Sequence, residues 1–187
     1  MDYTHPKRKT KVVFVQLGSP SEPTTKALRK YLRKFLGDPR VIDINPWLWK
    51  IILNCFVLPF RPQKSAKLYA RIWDGENFPL ITNTRDFTKN VSKELKKIDP
   101  EGYVEVNHAF LLSPPYVNEV YDSWEEDLKK GVGATKLLVI PMFPQYSEST
   151  IASGIDALAK ELSKRVKIPT FEVITNFHRT HAFIDNS

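Results

Sequence analysis

Cysteine is the scarcest functional residue in this sequence: Cys55 is the single cysteine among 187 residues. One cysteine excludes an internal disulfide framework and any metal site that is built from several cysteines. Such a composition is typical of a chain from a reducing compartment. We therefore expect a cytoplasmic protein.

Long hydrophobic runs are also absent. The basic residues near the start are not followed by the apolar stretch of a secretory signal. The longest apolar run, Trp47 to Phe60, is interrupted by Lys50 and Asn54 and is too short to span a bilayer. The sequence therefore predicts no transmembrane helix, and any membrane contact would be peripheral.

The composition that is present is that of a folded domain with an excess of positive charge. Apolar residues make up 42% of the chain, charged residues 26%, and the net charge is +7. This excess favours an anionic partner, such as nucleic acid, an acidic lipid surface or a small molecule with carboxylates. The basic residues at 26–34 lie on one helical face, but no aromatic residues alternate with them and no nucleic-acid motif is present. We expect a solvated helix surface there and no nucleic-acid partner.

Short β-branched segments alternate with amphipathic segments along the chain. The predicted strands are Lys11–Leu17, Arg40–Ile44, Tyr103–Phe110, Thr135–Pro141 and Phe171–Thr175. The predicted helices cover about 26–36, 46–60, 63–73, 84–98, 115–129 and 149–165, and a further helix starts near Thr180. This alternation predicts an α/β fold with a parallel sheet of about four to five strands and helices on both faces.

Ligands of such sheets bind beyond the carboxyl ends of the strands. The loop Pro141–Thr150 has the densest group of polar residues after any predicted strand. Its serines and Thr150 would cap the next helix, or the helix amides would hold an anion. The spacing of these residues does not distinguish a helix cap from an anion-binding site.

The histidines are weaker candidates. His108 lies inside a predicted strand and is expected to be a core residue. His178 and His181 are three apart, which suits one helical face, so a two-histidine metal site competes there with capping and solvent exposure. No Ser–His–Asp or Cys–His arrangement can be assembled from the sequence.

The most unusual segment is 46–60, with two tryptophans and two phenylalanines. It is either core or an exposed lip for a flat hydrophobic ligand or a membrane surface. Arg61 and Lys64 follow directly and place cations beside the apolar surface. That combination suits an amphiphile with an apolar body and carboxylates.

Several segments resemble, in order, the motifs of ferrochelatases. Gln16–Pro20 resembles the NLGxP turn after the first strand, and Pro141–Thr150 resembles PLYPQYSxST. The other similar segments are Tyr31–Asp43 (YLxxFLxDxxVID), Arg61–Trp73 (RxxKSxxxYxxIW), Pro79–Leu80, and His181 with Phe183–Ile184 (HxYI).

This resemblance implies a class II chelatase fold, in which two similar α/β lobes enclose a porphyrin cleft. The implied activity is insertion of ferrous iron, a substrate, into a porphyrin in haem biosynthesis, with no cofactor. We expect residues 1–10 to form a basic tail and residues 11–187 the N-terminal lobe. The second lobe would lie outside this chain, which we expect to be inactive by itself.

The resemblance also implies binding residues. Leu17 and Gly18 match the turn that faces the macrocycle, and Arg61 and Tyr69 match positions that contact porphyrin propionates. The signature loop adds Gln145, Tyr146 and Ser147. The lip of the cleft, which also meets the membrane, would contain Trp47, Trp49, Ile52 and Phe56.

The sequence departs from the family pattern at several places. The SAHSLP motif with the proton-accepting histidine is absent from the sequence, so no catalytic residue and no metal ligand is assigned. Leu111 and Leu112 stand where the family has an Arg-Tyr pair, and Phe78 replaces a propionate-contacting serine.

Two alternatives follow from these departures: a tetrapyrrole-binding or diverged ferrochelatase-like protein without catalysis, and a small chelatase made of two paired chains. The second is disfavoured because Leu17 stands where such chelatases carry a histidine. The sequence does not predict the oligomeric state.

Overall fold

The strand β1 (Thr10–Gln16) is flanked on both edges by other parallel strands. This computed structural model describes residues 9–131 and 133–185. The other strands are β2 (Val104–Phe110), β3 (Lys136–Pro141) and β4 (Thr170–Val173). The helices are α1 (Thr25–Leu36), α2 (Pro46–Ile52), α3 (Leu58–Tyr69), α4 (Pro79–Ile98), α5 (Val117–Lys129), α6 (Ser153–Leu162) and α7 (His181–Ile184).

The sheet has the order β2-β1-β3-β4, and every pairing is parallel. Side chains alternate between its two faces. Val13 and Val15 belong to a buried cluster with Trp124 of α5 and Leu158 of α6. Phe14, one residue out of phase, meets Phe87 of α4 edge to face at 5.0 Å. Helices therefore cover both faces, and the predicted α/β fold with a parallel sheet is confirmed.

The chain divides into two compact units, which we describe separately. The sheet unit contains the described residues of Met1–Gln16, Thr84–Leu111 and Pro115–Ser187. The helical unit contains Leu17–Asn83 and Leu112–Pro114. Its core gathers apolar side chains of α1, of the helices that follow and of the connection between them. Those residues are Tyr31, Leu32, Leu36, Leu53 and Leu58, with Phe35, Val41, Ile42, Trp49, Val57 and Leu112 packed against them.

The predicted strand Arg40–Ile44 is wrong. Its residues form a turn and an irregular segment, in which the amides of Val41 and Ile42 donate to the Asp38 carbonyl at 3.0 and 3.2 Å. The side chains of Val41 and Ile42 pack into the helical unit's core. These two β-branched side chains are thus buried against helices. The segment does not pair with any of the four described strands.

The prediction of two separate helices over 46–60 and 63–73, with a break between them, is also wrong. The structure has α2, a π-helical turn over Leu53–Val57, α3 and a 3-10 turn over Ala70–Ile72 in direct succession. Pro59 explains the wide turn, because proline lacks an amide hydrogen and its ring crowds the carbonyl four residues earlier. The chain accommodates Pro59 by widening the helix before it.

The remaining predicted strands and helices are confirmed within a few residues, although α4 begins at Pro79, five residues earlier than expected. The expected basic tail, apart from Lys9 and Thr10, lies outside the described residues. No helix in the described part of the chain has the length and apolar character needed to cross a membrane.

Two glycines of the sheet unit give a stability test. A Cβ at Gly154 in α6 would come no closer than 4.0 Å to the Val15 side chain, beside a small apolar cavity of about 20 Å³. A Cβ at Gly133 would lie 2.6 Å from the Leu128 backbone nitrogen. We expect Gly154→Ala to raise the free energy of unfolding by about 0.5–1 kcal/mol through helix propensity. Gly133→Ala should lower it by about 1–3 kcal/mol.

Urea unfolding of both variants beside the unmodified chain checks this. The same sign for the two substitutions would contradict the packing described for α6 and for the turn before β3.

Candidate functional site

The turn after β1 is held firmly within the helical unit. Gly18 has a φ of 92°, a conformation that glycine adopts without steric cost. The amide of Ser19 donates to the Ser113 hydroxyl at 3.3 Å, and the Leu112 amide donates to the Leu17 carbonyl at 3.0 Å. Leu17 is half-buried and Gly18 is buried. The two predicted turn residues therefore sit in a backbone fixed on both sides.

Tyr31 of α1 connects this turn to α3. Its hydroxyl donates to the Gly18 carbonyl at 3.4 Å, and its ring centroid lies 6.3 Å from that of Tyr69. Burial raises the pKa of Tyr31 above its ordinary value, and the charge of Tyr69 and a hydrogen bond with it raise that pKa further. Tyr31 is therefore a neutral donor at physiological pH.

A second aromatic contact holds the other side of Tyr69. Phe78 meets Tyr69 edge to face at 5.4 Å and meets Trp73 at 4.7 Å. Only 2% of Phe78 is exposed, whereas Tyr69 is half-buried. The Tyr69 ring thus has an aromatic neighbour on each side.

Arg61 lies eight residues before Tyr69 on the same helix, which is about 12 Å along the axis. Its side chain is exposed, and it forms no ion pair within the described chain. A guanidinium without an internal carboxylate is available to an anionic ligand. Of the predicted propionate contacts, Arg61 is thus a solvated cation and Tyr69 a half-buried ring with aromatic neighbours.

The predicted lip is not uniform. Trp47 is 78% exposed and Phe56 is 66% exposed, whereas Ile52 is half-buried. Trp49 packs against the core of the helical unit, and its indole N–H donates to the Leu36 carbonyl at 2.7 Å. An exposed apolar surface is nevertheless present on this segment. It consists of Trp47, Leu48, Ile51, Phe56 and Phe60.

The signature loop lies in the sheet unit, after β3. Gln145 and Tyr146 are exposed, and Ser147 occupies the position before the π-helical turn Glu148–Ala152 that leads into α6. The Ser147 hydroxyl lies 3.1 Å from that of Ser149 and caps no helix amide. The amides of Phe177 and His178 donate to the Pro144 carbonyl. Ser147 is therefore at the cap position, but its hydroxyl is not used as a cap.

The apolar replacements fill packing positions. Leu111 is half-buried against the core of the sheet unit, and Leu112 packs against the core of the helical unit. Phe78 is buried between Tyr69 and Trp73. Each of the three thus has apolar neighbours inside its own unit. The apolar side chains at these polar family positions are therefore packed, and they do not create an exposed apolar surface.

His178 and His181 do not lie on one helical face as the sequence suggested. His178 lies in a turn, and His181 is the first residue of the short α7, so they do not share a helix. Among residues 9–131 and 133–185, no group of three or more His, Cys, Asp or Glu side chains could hold a metal ion. His108 is half-buried on β2 and packs on Phe110 at 5.5 Å.

Comparison with known proteins gives the family. The ferrochelatase family model matches residues 9–187. The chain belongs to the ferrochelatase family. It is 41% identical over 174 residues to the ferrochelatase of Idiomarina loihiensis, covering 93% of this chain and 46% of that protein. It is 40% identical over 177 residues to the coproporphyrin III ferrochelatase of Streptococcus mutans, covering 95% and 53%.

A third ferrochelatase, from Herminiimonas arsenicoxydans, is 39% identical over 183 residues, with 97% of this chain and 48% of that protein covered. The chain thus spans about half the length of the ferrochelatases it matches.

Within this ferrochelatase-family chain, sequence reasoning did not identify Tyr31 and Ser113 as part of the candidate site. The sequence predicts Tyr31 only as an apolar helix position and as the first residue of the ferrochelatase-like segment Tyr31–Asp43, with no role for its hydroxyl. A hydroxyl on an otherwise aliphatic face was the available signal, because a buried tyrosine usually bonds its hydroxyl to a partner. Ser113 is separated from Ser19 by 94 residues, and no local pattern connects them.

His108 gives a pH test of the sheet unit. Burial, and secondarily the charge of Arg85, lowers the pKa of His108 from its ordinary value near 6.5. The folded state therefore favours the neutral imidazole, so stability is complete above pH 6.5 and declines as the pH falls below it. Replacing His108 by asparagine should flatten this decline in urea unfolding between pH 7.5 and 5.5.

The exposed His181→Asn variant is the control and should keep the decline of the unmodified chain. An unchanged pH profile in His108→Asn would show that another group causes the acid sensitivity.

Proposed function

We propose that this chain binds a carboxylate-bearing porphyrin and acts as part of a ferrochelatase. In the whole reaction, Fe²⁺ is a substrate that enters the macrocycle, and two pyrrole protons leave. The family match over residues 9–187 supports this activity. The contribution of the chain itself is to bind and orient the macrocycle.

The arrangement of α3 carries the proposal. A porphyrin with propionates has a flat apolar body and anionic groups at one edge. Arg61 supplies an exposed cation, and Tyr69 supplies a hydroxyl on a ring packed between two aromatic neighbours. The exposed apolar side chains of the lip precede Arg61 in the same helical run. Charge-assisted bonds fix the propionates, and burial of the macrocycle supplies the apolar contribution to binding.

Proton acceptance is not assigned to any residue of this chain. The proton-accepting histidine motif of the family is absent from the sequence. We therefore expect a porphyrin titration of the purified chain to show binding, and an iron-insertion assay run beside it to show no turnover. Insertion by this chain alone would overturn our assignment of the proton acceptor.

A second candidate is a tetrapyrrole-binding protein of the same family without catalysis. The apolar residues Leu111, Leu112 and Phe78 at polar family positions favour it. A reading frame that continues into the SAHSLP motif would support the enzyme. Its absence from the natural transcript would support the binding protein.

We also propose that the lip makes a peripheral contact with acidic membranes. Trp47 is accompanied by the ammonium group of Lys50, 5.8 Å from its ring centroid, and the lip is followed by Arg61 and Lys64. Exposed tryptophan beside lysine and arginine is typical of helices that lie at a bilayer interface. This contact and porphyrin binding are compatible uses of one apolar surface, because the ligand is itself lipophilic.

Arg61→Ala tests the propionate contact. Loss of a charge-assisted bond should weaken binding of a porphyrin dicarboxylate roughly tenfold or more, while affinity for its dimethyl ester stays unchanged. Fluorescence quenching titrations with both ligands measure this. Lys67→Ala, which removes another exposed cation from α3, is the matched control and should leave both affinities unchanged. Equal weakening for acid and ester would remove Arg61 from the propionate contact.

Replacing Trp47 and Trp49 separately by serine tests the lip. Trp47→Ser should change the free energy of unfolding by less than about 0.5 kcal/mol, because the side chain is exposed. It should reduce binding to phosphatidylcholine vesicles containing phosphatidylglycerol. Trp49→Ser should lower the free energy of unfolding by about 2–4 kcal/mol, since it removes core packing and the bond to Leu36.

Ile98→Ser, which removes an exposed apolar side chain of α4, controls for general surface hydrophobicity. Equal destabilisation by the two tryptophan substitutions would contradict the different burial of Trp47 and Trp49. Unchanged vesicle binding by Trp47→Ser would contradict the proposed membrane contact.

A further inference from the structure

The helix α2 is apolar on every side apart from Lys50, yet none of its seven residues is buried. Trp47, Leu48 and Ile51 form part of the exposed apolar surface of the lip. A helix that is apolar all round is usually buried in a core or in lipid. The membrane contact proposed above covers only the side with those three residues, so the other side of α2 needs an apolar partner of its own.

The other side of α2 borders a groove of about 210 Å³. Trp49, Lys50 and Leu53 line it from the helix, at the three- and four-residue spacing of one helical face. The segment that leads into α2 contributes Gly37, Asp38, Pro39, Ile42, Ile44 and Pro46. All of these residues belong to the helical unit. The groove is therefore mostly apolar, with one cation and one carboxylate in its lining.

The two charged residues of the lining differ in the partners that they already have. The Asp38 carboxylate accepts a hydrogen bond from the Arg40 amide at 2.8 Å. Lys50 forms no ion pair with any described residue, and its ammonium group lies 5.8 Å from the centroid of the Trp47 ring. Eleven basic residues against five acidic ones also give the helical unit most of the chain's net charge of +7. The groove therefore favours a ligand with an anionic group.

The apolar lining is ordered before any ligand arrives. The indole N–H of Trp49 already donates to the Leu36 carbonyl at 2.7 Å, which fixes the ring and leaves only its apolar surface for a ligand. Leu53 is 5% exposed and belongs to the core of the helical unit. A fixed apolar wall binds an alkyl chain at a lower entropy cost than a mobile one.

We propose that this groove binds one acyl chain of an anionic membrane lipid, whose phosphate pairs with Lys50. Its volume is below the range of about 300–1,000 Å³ that is usual for pockets of larger ligands. It suits part of one alkyl chain and not a porphyrin macrocycle. This inference rests on the proposed membrane contact, because the bilayer supplies the lipid. The groove and the exposed lip then bring lipid to both sides of α2.

The first test uses lysophosphatidylglycerol below its critical micelle concentration, so that single lipid molecules are titrated. Nitrogen-15 labelling of the tryptophan indoles, with Trp49 assigned by its loss in Trp49→Phe, reports on the groove. The Trp49 resonance should shift to saturation. Lys50→Gln should weaken this binding roughly tenfold and leave the affinity for an uncharged monoacylglycerol unchanged. Lys30→Gln, which removes an exposed cation of α1, is the control and should leave both affinities unchanged.

The second test compares two exposed isoleucines of the helical unit. Ile44 is 46% exposed and lines the groove, whereas Ile51 is 57% exposed and does not. Ile44→Asp should weaken lysophosphatidylglycerol binding at least tenfold, because it places a carboxylate against the alkyl chain. Ile51→Asp should keep the affinity of the unmodified chain. Urea unfolding of both variants checks that the helical unit remains folded.

Several outcomes would overturn the groove as a lipid site. They are equal losses in the two isoleucine variants, an unchanged affinity in Ile44→Asp, and equal weakening of charged and uncharged lipid by Lys50→Gln. Displacement of the lysolipid by porphyrin would make the groove part of the porphyrin site. A dimer of the unmodified chain that Ile44→Asp dissociates would assign the groove to a second copy.

The inference and the membrane contact fail separately. If the unmodified chain binds acidic vesicles but no lysophosphatidylglycerol, the membrane contact stands and the groove proposal is wrong. If it binds the lysolipid at Trp49 but no vesicles, the membrane contact is wrong, and the groove is confirmed as a site for an anionic amphiphile.

Discussion

The pairing of β1 along both of its edges is the constraint on which the sheet unit depends. β1 bonds to β2 on one side and to β3 on the other, and β4 is attached only through β3. Without β1, the described sheet would separate into one isolated strand and one pair. The same strand places Val13 and Val15 in one core and Phe14 against Phe87 on the opposite face. Lys11 of β1 is buried, and its ammonium group forms ion pairs with Glu105 of β2 and Asp127 of α5.

The strands of this sheet could be predicted from sequence because each is a short β-branched or apolar run that is buried by its neighbours. The segment Arg40–Ile44 has the same local character and is not a strand. Whether such a run pairs or turns depends on the availability of a free strand edge, which is a property of the whole fold. Here, the amides of Val41 and Ile42 bond back to Asp38, and their side chains meet the core of the helical unit.

The lip shows a second limit of sequence reasoning. Trp47 and Trp49 are two residues apart and identical in type, yet one is exposed and the other anchors on the Leu36 carbonyl. Helical periodicity predicts that the two side chains point in different directions, but it does not predict which of them points into the core. The π-helical turn at Leu53–Val57 also shifts the phase of the helical face that continues into α3. Arg61 and Tyr69 could be identified through the family motif, whereas the bond from the Tyr31 hydroxyl to the Gly18 carbonyl could be seen only in the structure.

Phe78 connects these observations. At a position where the family pattern has a hydroxyl for a propionate, this chain has a buried ring that packs on Tyr69 and Trp73. Phe78 has no hydroxyl to offer a propionate, and its ring packs edge to face against Tyr69 instead. A carboxylate gains most from a donor whose side chain is already ordered, because binding then costs less conformational entropy. Under the proposed function, the packed ring of Tyr69 therefore lowers the entropy cost of holding a carboxylate edge, and the exposed Arg61 supplies the charge.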